Sequence, residues 1–135
     1  MENNIRIVQE AYNNFLSGDV AGILNLLSED VHWQTPEIEN AAFGGTKSGR
    51  EGASDFFRLM SESEETIKFE PKEFIAQGNR VVALGTYGAT VRETGRSYET
   101  DWVHVFTVED GKIMSFVEFF DNALASRAFQ KATTA

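Results

Sequence analysis

Apolar positions recur at helical spacing through the first part of the chain and alternate with polar ones through the second part. Ile5, Val8, Tyr12, Phe15 and Leu16 share one face of a helix spanning 3–17. Gly18 supplies a left-handed stop, and Asp19 an N-cap for a second helix with Val20, Ile23, Leu24 and Leu27 on one side. Val31–Thr35 reads as a short strand halted before Pro36, and 36–48 as a loop containing Gly44-Gly45. Ser48 or Gly49 opens a third helix carrying Phe56, Phe57, Leu59 and Met60.

The remainder predicts strands at 66–76, 81–91, 98–108 and 113–120. Turns fall at Gly78-Asn79, Thr94-Gly95 and Asp110-Gly111, and Asp121 caps a closing helix. Pro71 cannot donate to a ladder, so it marks an edge strand or a bulge. Helices followed by an antiparallel meander make an α+β fold, read as one domain over 1–135. A curved sheet wrapped on those helices encloses a pocket.

Side chains alternate along a strand, so the turns decide which residues meet. A two-residue loop at Thr94-Gly95 sets Tyr87 opposite Trp102 and Gly85 opposite His104. A three-residue loop at Glu109-Asp110-Gly111 sets Trp102 opposite Glu118 and His104 opposite Phe116. His104 and Glu118 are then diagonal neighbours on an aromatic face. A two-residue loop at Asp110-Gly111 would shift the last strand by one and expel Glu118 from that row. The opposite face carries Asp101, Val103, Val105, Thr107, Ile113, Ser115, Val117 and Phe119. It is too apolar for water, and a homodimer through it is expected.

Composition narrows the function classes. The 135 residues include no cysteine, which removes disulfides, thiolate zinc ligands and a thiol nucleophile. Twelve basic and 21 acidic residues give a net charge of −9, which opposes nucleic acid and anionic membrane partners. Glu62, Glu64, Glu65 and Glu70 read as a solvated helix end and loop. No apolar run approaches the roughly 18 residues of a membrane span, and Met-Glu-Asn-Asn lacks a signal peptide's basic flank, so a cytoplasmic location is expected. There is no phosphate-cradling glycine loop, HExxH or Gly-x-Ser-x-Gly. His32 and His104 are far apart in sequence without a carboxylate cluster, so neither a metal site nor an organic cofactor is expected.

Several short motifs in order resemble the nuclear transport factor 2-like superfamily, in its SnoaL-like and ketosteroid isomerase-like branch. They are Ser17-Gly18-Asp19, the strand and proline after Ser28-Glu29-Asp30, and Gly49-Arg50-Glu51. Val108-Glu109-Asp110-Gly111-Lys112-Ile113 and Glu118-Phe119-Phe120-Asp121 complete the set. The resemblance implies a cone-shaped curved antiparallel sheet on three N-terminal helices, a short C-terminal helix, a deep apolar pocket and often a dimer. By spacing, the isomerase base falls at Thr35, its tyrosine at Ala11 beside Tyr12, and its late acid at His104, so that catalytic set is absent. SnoaL-like cyclases are closer: a histidine and an acid fourteen positions later match His104 and Glu118, although the family acid is aspartate. The Asp-Arg-Asp set of limonene-epoxide hydrolases finds no match, because Arg92 and Arg96 lie in a turn.

These readings converge on an acid/base enzyme for a small hydrophobic carbonyl compound, an isomerase or a cyclase. His104 and Glu118 would carry protons and Tyr87 would donate a hydrogen bond. Trp33, Thr35, Trp102, Phe56, Phe116, Phe120 and Phe15 are the expected pocket wall. His32 and Asp101 are expected outside it, and Lys47 and Arg50 in solvent beside it. The alternative is a non-catalytic binding module of the same fold, with the polar pair merely satisfied in a core.

Overall fold

The computed structural model describes residues 2–131. Its elements follow the hydrophobic pattern: α1 (Glu2–Leu16), α2 (Val20–Leu26), β1 (Leu27–Thr35), β2 (Gly45–Ser48), α3 (Gly49–Ser63), β3 (Glu64–Gln77), β4 (Arg80–Val91), β5 (Ser97–Glu109), β6 (Lys112–Phe120) and α4 (Asn122–Phe129). Asp19 and Asp121 cap α2 and α4 by accepting from the backbone N–H groups of Gly22 and Leu124. Three expectations need correction. Leu27 is not on the second helix but opens β1, where it is fully buried. The loop at 36–48 ends in β2, which pairs antiparallel with β1 from Thr35↔Gly45 to His32↔Ser48. Chain passes directly from α3 into β3 at Glu64, two residues earlier than the alternation suggested.

The sheet runs β2-β1-β6-β5-β4-β3 and is antiparallel except for β1 beside β6. Pro71 lies on the edge strand β3, and the ladder slips there by one residue between Pro71 and Glu73. A second slip lies between Thr66 and Lys68. Bulges of this kind bend and twist a sheet, which lets it wrap the helices.

Both hairpin registers differ from those expected, yet both keep the expected faces. Residues 92–95 form the β4–β5 loop, with Val91 N–H donating to Arg96 O and Gly95 N–H to Val91 O. The ladder therefore moves by two: Gly85 opposes Trp102, Tyr87 opposes Thr100 and Ala83 opposes His104. Asp110-Gly111 is the two-residue turn, both residues having positive φ (51° and 78°), as this hairpin geometry requires. That turn alone would have expelled Glu118. A bulge at Met114, between Val108↔Ile113 and Thr107↔Ser115, restores the parity. His104 and Glu118 become direct partners, and Phe106 opposes Phe116. The same bulge turns Ile113 inward, so Ile113 belongs to the core and not to the outer face.

The core lies between the concave side of the sheet and the helices. Val8 of α1, Ala53 and Phe56 of α3, and Val81, Val91, Val108 and Ile113 of the sheet are buried in it. Helix α4 closes one end, with Phe129 packed edge-on against Phe43. Thr94 Oγ1 donates to Ala128 O and Arg96 Nη1 to Arg127 O, which fasten α4 to the β4–β5 loop. No helix among the described residues is long and apolar enough to cross a membrane.

Candidate active site

Between helices and sheet lies a cavity holding about 830 Å³ of space between atoms, its mouth included. His104, Glu118 and Tyr87 line it, as do Trp33, Trp102 and Phe56. Phe15, Phe116 and Phe120 complete the expected wall. Thr35 does not line it; its hydroxyl turns to the Gly45 carbonyl of the β1–β2 hairpin. His32 points outward to Gln34, Asp101 accepts from Thr86 on the outer side, and Arg50 donates to Leu27 O. Among the described residues, no lysine or arginine lines the cavity.

Aromatic stacking fixes the walls. The indole of Trp102 stacks on the His104 ring at 4.0 Å and 16°, and on Phe69 at 5.2 Å and 10°. Trp33 stacks on Phe116 across the parallel β1–β6 pair. Gly85 makes the Trp102 position possible, because a Cβ there would collide with the indole and with Glu70 O. The glycine gap expected beside His104 thus houses the tryptophan ring.

Two polar constellations face this apolar space. In the first, Tyr12 Oη lies 2.8 Å from His104 Nδ1, and His104 Nε2 lies 2.8 Å from Glu118 Oε2. Burial holds the Tyr12 phenol above its ordinary range, and Glu118 raises it further, so the hydroxyl keeps its proton. In the tautomer with Tyr12 donating to Nδ1, the ring proton sits on Nε2 and is donated to Glu118. Both ring nitrogens are consumed inside the protein. Glu118 Oε1 has no partner among the described residues, and the Glu118 side chain keeps 17% of its exposure.

The second constellation was absent from the sequence reading. Glu64 is only 2% exposed, which corrects its assignment to a solvated helix end. Tyr87 donates to its Oε2, and Tyr98 to its Oε1 at 2.7 Å. Tyr87 therefore serves Glu64 and does not reach the His104–Glu118 pair. Desolvation raises the Glu64 carboxyl above the ordinary range, against the lowering effect of both phenol hydrogen bonds; Glu118 adds a smaller rise. A usable signal did exist. Counting back from the Gly78-Asn79 turn with uninterrupted alternation also puts Glu64 inside, because the two bulges of β3 cancel. Tyr12 was visible as a core aromatic of α1 and as the neighbour of the isomerase tyrosine position at Ala11.

The SnoaL-like domain family matches residues 8–116. The chain belongs to that family. The matched span stops short of Glu118, so membership alone says nothing about this carboxylate. A Burkholderia pseudomallei NTF2-like protein of unknown function is 36% identical, with a TM-score of 0.88 over 96% of this chain and 98% of its own. TerC, crystallised with polyporic acid, is 32% identical, with a TM-score of 0.85 over 94% of this chain and 98% of its own. A Xanthomonas campestris protein provisionally called a polyketide cyclase shares the fold at 22% identity, with a TM-score of 0.77 over 96% of this chain and 98% of its own. No curated protein matches the chain.

Proposed function

We propose that this SnoaL-like domain is an acid/base enzyme acting with its own side chains on a small hydrophobic carbonyl compound, as an isomerase or an aldol cyclase. The observation that carries the reading is the free Oε1 of Glu118 in an aromatic cavity, with Oε2 held by the Tyr12–His104 chain. His104 has no nitrogen left for a ligand, so its role is revised: Glu118 carries the proton, and His104 and Tyr12 position it. The carboxylate takes a proton from the carbon next to the carbonyl, leaving an enolate. Returning that proton at another carbon completes an isomerisation; attack of the enolate on a second carbonyl closes a ring. The likeness to TerC, crystallised with polyporic acid, supports a small organic ligand.

β-Tetralone is a suitable neutral probe, and loss of its acidic hydrogens to heavy water is followed by NMR. Glu118→Gln should slow catalysed exchange by about 10²- to 10⁴-fold, the usual contribution of a positioned base. Exchange at the wild-type rate in that variant would remove Glu118 from the chemistry. The same structure also favours a second reading on one point, since a histidine with both nitrogens satisfied suits a purely structural pair. A non-catalytic binding module would hold β-tetralone without exchanging its hydrogens.

A further inference from the structure

We infer that Tyr87, Glu64 and Tyr98 form a second subsite of the cavity, which donates a hydrogen bond to a carbonyl oxygen of an uncharged ligand. The inference deepens the proposed function, since it rests on the same cavity holding a carbonyl compound. It is carried by a count of hydrogens. As a carboxylate, Glu64 accepts from both phenols, and every hydrogen of the cluster is spent internally. As a carboxylic acid, Glu64 brings a third hydrogen to a cluster with only two internal bonds. Glu64 then donates to Tyr98 Oη, which has no other partner among the described residues, and the Tyr98 hydrogen is released. All three residues line the cavity, so the surplus donor faces the ligand space. Thr66 Oγ1 lies 3.1 Å from Tyr87 Oη and either hydroxyl can donate to the other, so Tyr87 has an internal acceptor for its hydrogen.

Burial and Glu118 favour the acid form of Glu64, against the opposing effect of the two phenol hydrogen bonds. Facing Glu64 are Tyr87 of β4, Tyr98 of β5 and, through the cavity, Glu118 of β6. Tyr12 of α1 and His104 of β5 belong to the other constellation and line the same space. Arg92 is near in the chain fold, but its Nε is bonded to Ser61 O, and it does not line the cavity. Burial raises the Glu64 carboxyl, and no cation in the wall opposes that. The same absence sets selectivity. Two carboxyl groups without a lysine or arginine disfavour a carboxylate or phosphate ligand, whereas a neutral carbonyl finds a donor at one constellation and a base at the other.

The test compares binding of β-tetralone and of β-naphthoate by wild type and by Glu64→Gln between about pH 5 and about pH 9. The glutamine amide donates to one phenol while its carbonyl accepts from the other, so it mimics the acid form at every pH. Wild-type affinity for β-tetralone should fall about fivefold as Glu64 ionises, the scale of one hydrogen bond, while Glu64→Gln keeps the low-pH affinity throughout. Any pH dependence common to both proteins arises outside Glu64. β-Naphthoate should bind at least about tenfold more weakly than the ketone. Identical pH profiles in the two proteins, or a naphthoate as tight as the ketone, would overturn the subsite. Wild type that binds with the Glu64-dependent profile but exchanges no hydrogens leaves the subsite standing and refutes catalysis. Absence of saturable ketone binding refutes both. If Glu64→Gln fails to fold, infrared spectra decide: wild type should show a protonated carboxyl band that fades with rising pH and shifts in Tyr98→Phe. A spectrum without that band overturns the proposal.

Discussion

Replacing Tyr12 by phenylalanine isolates the hydrogen bond that orients His104. The Tyr12 ring packs edge-on against Phe69 at 5.1 Å, Trp102 at 5.7 Å and Phe106 at 6.0 Å, and a phenyl ring keeps all three contacts. No cavity opens, so the several kcal/mol expected of a truncation to alanine do not enter. What changes is His104 Nδ1, which loses its 2.8 Å donor in a buried setting. A buried acceptor left unpaired costs about 1–3 kcal/mol, and no longer desolvating the phenol hydroxyl offsets part of it. The net loss should be about 1–2 kcal/mol, or about 5 °C in melting temperature for a chain of this length. Urea denaturation should show a lower midpoint at unchanged slope, because the surface exposed on unfolding is nearly the same. If Glu118 works through an imidazole held by Tyr12, kcat for the exchange reaction should also fall with KM little changed. Wild-type stability and wild-type kcat in Tyr12→Phe would refute the reasoning: the 2.8 Å contact would then neither stabilise the fold nor position the base.

Three further outcomes follow from the same geometry. Glu64 has a raised carboxyl in the folded state, so between its unfolded value of about 4.3 and its folded value the native protein binds the extra proton; stability should fall as pH rises through that window, and Glu64→Gln, measured by urea midpoints, should lose this dependence. Gly85→Ala should destabilise by about 1–3 kcal/mol, because the new methyl meets the Trp102 ring and the unyielding Glu70 carbonyl; unchanged stability and tryptophan fluorescence would show that the gap is not required. We propose that the outer sheet face, where Phe119 is 54% exposed beside half-buried Val103 and Val117, joins two copies of the chain. Sedimentation should find a dimer that Phe119→Asp converts to monomer, and a monomeric wild type at high micromolar concentration would remove this interface.

Much of the architecture was legible because it follows from local chemistry. Asp19 and Asp121 are helix caps wherever a helix follows them, and Pro71 weakens a ladder wherever a strand carries it. The candidate site was legible only in part. His104 and Glu118 have the same parity relative to their hairpin, and each register error was an even number of residues, so the shared face was preserved. Thr35 failed because the β1–β2 hairpin, formed by residues distant from any alternating run, claims its hydroxyl. Ile113 failed because the bulge at Met114 leaves no mark in a run of apolar and polar residues.

The amino-acid order by itself determined the helices, every strand but β2 and, Ile113 apart, which side chains of the late strands share a face, since these depend on periods of 3.6 and 2. The tertiary fold alone decided the chemistry of the face. It joined Tyr12 to His104 across 92 residues and Glu64 to Tyr98 across 34, pairings set by how α1 and the edge strand dock on the curved sheet. Burial then turned an acidic residue in a charged stretch into a carboxyl with a raised proton affinity, an effect of desolvation that exists only once the cavity has closed around it.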